Sequence, residues 1–124
     1  MGMSNRESGA EFLRLAAAGK VREAFSAYAS AGFRHHNAHF PGDAASLAKA
    51  MEDNARQFPG KVFEVLRVLE DGDLVAVHAR VRMEPKGQDF ALIHILRFEG
   101  GRIVEMWEAS ELVPETSPNE NGAF

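Results

Sequence analysis

The sequence predicts an α+β domain in which helices come first and an antiparallel sheet follows. Apolar residues recur at helical spacing before Gly60 and at every second position after it. Asp71-Gly72 and Gly100-Gly101 cut the second half into hairpins. Size agrees: 124 residues, 45% hydrophobic and 26% charged, fit a single domain over residues 1–124 with its core at about 10–112. A chain of this length buries roughly two-thirds of its unfolded surface, so its core needs no disulfide.

From Glu11 to Ala31 one helical face is formed by Phe12, Leu15 and Ala16, then by Val21, Ala24, Phe25, Tyr28 and Ala29. Gly19 interrupts it, which predicts two short helices, and the polar residues before Glu11 are expected to fray. Phe33-Arg34-His35-His36-Asn37 is a short polar and aromatic stretch that gives way to the turn Pro41-Gly42. Asp43 is the expected N-cap of a third helix, whose Leu47, Met51, Ala55 and Phe58 share a face until Pro59-Gly60 ends it. Strands are expected over Val62 to Glu70, Leu74 to Met83, Asp89 to Phe98 and Arg102 to Leu112, with Glu84-Pro85-Lys86-Gly87 as the looser link. The tail from Val113 to Phe124, rich in Pro, Asn, Glu and Ser, has no periodic pattern.

Composition narrows the function. Fourteen Lys plus Arg against eighteen Asp plus Glu give a net charge of −4, which argues against nucleic acid or an anionic membrane as the main partner. The absence of Cys removes thiolate zinc sites and cysteine nucleophiles. No basic stretch followed by an apolar run opens the chain, so a cytoplasmic protein is expected. Gly100-Gly101 lies in a hairpin and makes no phosphate loop, and no Ser has a nucleophile-elbow setting. Nine Phe beside one Trp and one Tyr supply aromatic surface that is almost wholly apolar, suited to a core or an oily pocket.

The most specific segment is Ile93-His94-Ile95-Leu96-Arg97-Phe98-Glu99-Gly100-Gly101-Arg102-Ile103-Val104-Glu105-Met106-Trp107-Glu108, with Arg34-His35-His36-Asn37 as a weaker anchor and Pro118-Asn119-Glu120-Asn121-Gly122-Ala123-Phe124 as a third. With the order of elements, these residues resemble the SnoaL-like polyketide cyclases and aldol-condensation-like proteins of the nuclear transport factor 2-like (ketosteroid isomerase-like) superfamily. The resemblance implies a cone-shaped curved antiparallel sheet packed on three N-terminal helices around a deep pocket. It implies that Glu108, where the cyclases commonly carry Asp, acts as acid/base in an aldol closure, with His94 assisting. It places His36 and Asn37 at the pocket mouth and implies no metal and no organic cofactor. Met106 stands where many relatives have a His.

Which residues face that pocket depends on the last turn, because a one-residue slip moves a side chain across the sheet. A two-residue Gly100-Gly101 loop would set His94 opposite Trp107 and put Glu108 on the other face. A three-residue loop, Glu99-Gly100-Gly101, would pair Phe98 with Arg102 and His94 with Met106, so that Leu92, His94, Leu96, Val104, Met106 and Glu108 share a face. The second register is preferred, since it leaves Arg97 and Glu105 to pair in water on the outer face. Leu92 and Met106 then flank the catalytic candidates as substrate-binding lining. Trp107 faces outward beside Ile93 and Ile95, a patch that predicts a homodimer through the outer sheet face unless the tail or a loop covers it. On Leu74 to Met83 the alternation sets Val75, Val77, Ala79, Val81 and Met83 inside and His78 outside.

His35, His36 and His39 form no metal site by this reading, because neighbours on an extended segment point to opposite faces. A carboxylate and an imidazole in an apolar cavity can divide acid and base work, and burial is expected to raise the Glu108 pKa against the pull of a charged His94. The functional expectation is a cofactor-independent enzyme that enolises a small apolar carbonyl compound, by aldol cyclisation or isomerisation. The alternative is a non-catalytic small-molecule-binding or interaction domain on the same fold.

Overall fold

The computed structural model describes residues 2–124. Helices α1 (Asn5–Ala17) and α2 (Val21–Tyr28) lead into strand β1 (Ala29–His35), and helix α3 (Ala44–Gln57) precedes β2 (Val62–Asp71), β3 (Leu74–Arg82), β4 (Asp89–Glu99) and β5 (Arg102–Leu112). The strands form one curved, open sheet in the order β1-β5-β4-β3-β2.

Local chemistry explains the helix ends. The Ser4 hydroxyl accepts the Glu7 N–H at 3.1 Å while the Glu7 carboxylate accepts the Ser4 N–H at 3.3 Å, a capping box that starts α1 at Asn5. Residues expected to fray are therefore helical. Asp43 caps α3 by accepting the Ser46 N–H at 2.9 Å, as its position predicts.

Strand β1 was not foreseen as a strand. It runs parallel to β5, so the sheet is mixed rather than antiparallel throughout. Its inward residues are Ala29, Phe33 and His35, only one of them a large apolar group, which leaves little alternation to read. Phe33 closes an aromatic cluster with Phe12 and Phe25, the Phe12–Phe25 and Phe25–Phe33 rings meeting edge to face at 5.2 and 5.3 Å. Against this cluster lie the inner faces of β3, β4 and β5, with Val75, Val77, Leu96, Phe98, Ile103 and Met106 all buried. Ala79 and Val81 continue the buried face of β3, and His78 lies outside as expected.

The β4–β5 turn corrects the expected register. Gly100 and Gly101 have φ of 56° and 79°, the left-handed pair that a two-residue hairpin loop demands, and Glu99 pairs with Arg102. The register then shifts: Phe98 pairs with Ile103 but Arg97 with Glu105, which leaves Val104 as the extra residue of a bulge. Past the bulge Leu96 faces Met106 and His94 faces Glu108. The two candidates do share a face, through a tight turn plus a bulge and not through a three-residue loop. Ile103 takes the buried place across from Phe98, where the preferred register set Arg102, and Val104, expected on the inner face, is the bulged residue.

Helix α1 approaches the sheet closely at Gly9, where a Cβ would sit 3.0 Å from Leu96 Cδ1 and 3.4 Å from Val75 Cγ1. Gly9→Val is expected to lower unfolding free energy by about 2 kcal/mol, the usual cost of overpacking a filled core. Urea denaturation of the two proteins checks this, and an unchanged midpoint would contradict it.

Candidate active site

Between α1, α3 and the inner sheet face lies a cavity of about 260 Å³. Leu13, Leu47, Met51, Phe63, Val81 and Leu92 make most of its wall apolar, and Asn37, His94 and Glu108 gather at one part of it. The β4–β5 pairing sets His94 directly across from Glu108, with Nε2 at 3.4 Å from Oε2. His94 is 5% exposed, and its Nδ1 has no hydrogen-bond partner among the described residues.

Asn37 arrives from the loop after β1. Its Oδ1 accepts the His39 N–H at 3.0 Å, which fixes the amide so that Nδ2 donates to Glu108 Oε1. Burial pushes the Glu108 pKa up, yet the hydrogen bond and charge of His94 and the Asn37 amide outweigh it, and the carboxyl is held below its ordinary value. This reverses the expected direction: the group is a carboxylate stabilised in its ionised form.

His35 is the residue that sequence reasoning missed. It is 5% exposed on the inner side, donates Nε2–H to the Pro41 carbonyl at 2.7 Å, and accepts the Asn37 N–H on Nδ1 at 3.1 Å. It thus fixes the loop that presents Asn37 to Glu108. The signal available was strand alternation, by which only one of His35 and His36 can face inward.

A family model for the SnoaL-like domain matches residues 10–106. The chain belongs to the SnoaL-like family. Crystal structures with the same fold include IdmH, a candidate polyketide cyclase from Streptomyces antibioticus. It is 20% identical at a TM-score of 0.73, over 88% of this chain and 93% of that one. A candidate polyketide cyclase from Bacillus cereus is 23% identical at a TM-score of 0.73, covering 84% and 72%. A nuclear transport factor 2-like protein of unknown function from Cytophaga hutchinsonii is 15% identical at a TM-score of 0.71, covering 90% and 93%. At such identities the likeness is one of fold. No curated protein matches the chain.

Two residues expected at the pocket of this SnoaL-like chain lie elsewhere. Met106 is 1% exposed and belongs to the packed core, behind the cavity wall. His36 is on the outer face, where it stacks on Trp107 with centroids 5.1 Å apart and an interplanar angle of 2°, and its Nε2 meets Glu105 Oε2 at 2.6 Å. The cause is parity: with His35, the last residue of β1, turned inward, the next residue along the extended chain turns out. Asn37, Leu92, His94 and Glu108 do line the cavity. No helix of the described residues is long and apolar enough to cross a membrane.

Glu105 was expected to pair with Arg97 in water. It does pair with Arg97, at 3.0 Å, but is 6% exposed, because Arg34 on β1 and His36 just after it cover its other side. Hydrogen bonds from Arg34, then His36 and Arg97, outweigh desolvation and bring its pKa down from 4.5 to about 2. A folded-state pKa below the unfolded value means that the unfolded chain binds more protons between the two values. The stabilisation is full above about pH 4.5 and is lost as pH falls toward about 2. Melting temperatures of the native chain and Glu105→Gln should differ most at neutral pH and converge over that interval. A gap that stays constant down to pH 2 would contradict the assignment.

Proposed function

We propose that the protein is a cofactor-independent enzyme of enolisation chemistry, acting on a small apolar carbonyl compound in an aldol cyclisation or isomerisation. The observation that carries this reading is a carboxylate kept ionised by His94 and Asn37 on the wall of an otherwise apolar cavity. An ionised Glu108 can accept a proton from the carbon beside a carbonyl. The enolate oxygen then needs a donor, and the His94 Nε2–H, 3.4 Å from Glu108 Oε2, lies on the same wall. The candidate cyclases that share this fold support the reaction class.

Deuterium exchange at the α-carbon of a panel of apolar ketones tests the role of Glu108. Glu108→Gln should slow exchange by at least about 100-fold, the lower end of what a positioned base supplies. The pH profile has a defined sign. Because its neighbours hold Glu108 below the ordinary carboxylate value, the rate should persist through that range and fall only as the carboxylate takes up a proton beneath it. Binding of the ketones without exchange would leave the non-catalytic binding domain as the function, and equal rates in both proteins would remove Glu108 as the base.

The same reading includes a homodimer through the outer sheet face. Ile93 and Ile95 are 46% and 39% exposed there, and Trp107 lies across from Ile95. The tail does reach this face, but its Phe124 ring settles near His78 and Arg80, and the two isoleucines stay open. A two-fold axis would set one such apolar strip on its copy. Sedimentation should show a dimer at micromolar concentration that Ile95→Lys dissociates, and a monomeric native chain would end the idea.

A further inference from the structure

A second cavity, of about 210 Å³, adjoins the first and shares Ala17, Lys61 and Phe63 with it, and Arg14 and Ala18 complete its wall. Lys61 therefore stands between an apolar chamber and one lined by two cations. Its ammonium group donates to Asn54 Oδ1 at 2.6 Å and has two further protons to offer. Neither Lys61 nor Arg14 takes part in any ion pair among the described residues, although most other cations near the sheet and α3 are paired. Among the described residues Glu108 is the one acidic residue lining either cavity, and it is already held by Asn37 and His94.

We propose that Lys61 and Arg14 form an anion subsite that takes the carboxylate of an apolar oxo acid, while the ketone of the same molecule lies at Glu108 and His94. The inference rests on the enolisation reading for the placement of the ketone, and on the two cavities alone for the anion. A half-buried ammonium without a counter-charge is costly to keep, and burial lowers the Lys61 pKa. A bound carboxylate would remove that cost, so the subsite selects for charge at one end of an otherwise oily ligand.

Isothermal titration of the full chain with benzoylpropionate and with its methyl ester separates the subsite from the chemistry. The acid is expected to bind about tenfold more tightly than the ester. Lys61→Met and Arg14→Gln should each reduce that ratio by about threefold or more, and Lys61→Arg should retain it. Arg14 is exposed, so its substitution reports even where Lys61→Met fails to fold. Equal affinity for acid and ester, no binding of the acid at millimolar concentration, or a ratio untouched by both substitutions would overturn the subsite. Glu108→Gln divides the two proposals. Exchange lost with the acid preference kept supports both, and exchange unaffected with the preference kept removes Glu108 as the base of the enolisation reading while the subsite stands.

Discussion

The bulge at Val104 is the constraint on which the site depends. A two-residue glycine turn is the natural closure for Glu99 and Arg102, since both loop residues need positive φ and only glycine takes it freely. Continued without interruption, that turn would set His94 opposite Trp107 and direct Glu108 away from the cavity. One inserted residue restores the parity. Ile103 and Phe98 keep their places in the core near the turn, while Met106 and Glu108 point inward farther along. Core packing and cavity chemistry thus impose different registers on one strand, and the bulge reconciles them.

The same parity separates two glutamates that are three residues apart. Glu105 falls on the outer face, where Arg34, Arg97 and His36 converge on it and draw its pKa to about 2. Glu108 falls on the inner face, where it meets His94 and a neutral amide amid apolar walls. The first is saturated with donors and serves to hold β1 against β5. The second has lighter support and borders open volume, so its lone pairs remain available to a ligand. That contrast distinguishes structural from chemical carboxylates better than burial does, since Glu105 is the more buried of the two.

Legibility followed the strength of local periodicity. Strands β2 to β5 and helix α3 carry long alternations or a clear cap, and their limits were readable to within a residue or so. Strand β1 carries Ala-Ser-Ala-Gly before Phe33, so its pairing with β5 is set by tertiary contact and by the Glu105 cluster. Its inward and outward residues went unread with it. With no strand to alternate along, the resemblance alone assigns His36 to the pocket and gives His35 no role. The placement of His94 and Glu108 is legible because the strand pair and the family resemblance agree, while Leu92 rests on the strand pairing alone and Asn37 on the resemblance alone. That of Met106 is not, because sharing a face with a site residue does not distinguish pocket wall from core. A bulge has no sequence signature of its own at Val104, so the right face was reached through the wrong turn.

Net charge says little about the charge that a ligand meets inside such a cavity. At −4 the chain as a whole repels anions weakly, and beyond about 10 Å that field is screened at ordinary salt. The charges that a ligand meets are local. Acidic residues are drawn into pairs on the outer sheet face and along α3, whereas Lys61 and Arg14 have no acidic partner among the described residues. An acidic protein can therefore present a cationic chamber, since pairing removes charge from one surface and leaves it on another. The larger cavity is lined by both Glu108 and Lys61, which form no ion pair with each other among the described residues. It holds a base and a cation in one continuous volume, as a molecule with a ketone at one end and a carboxylate at the other would require.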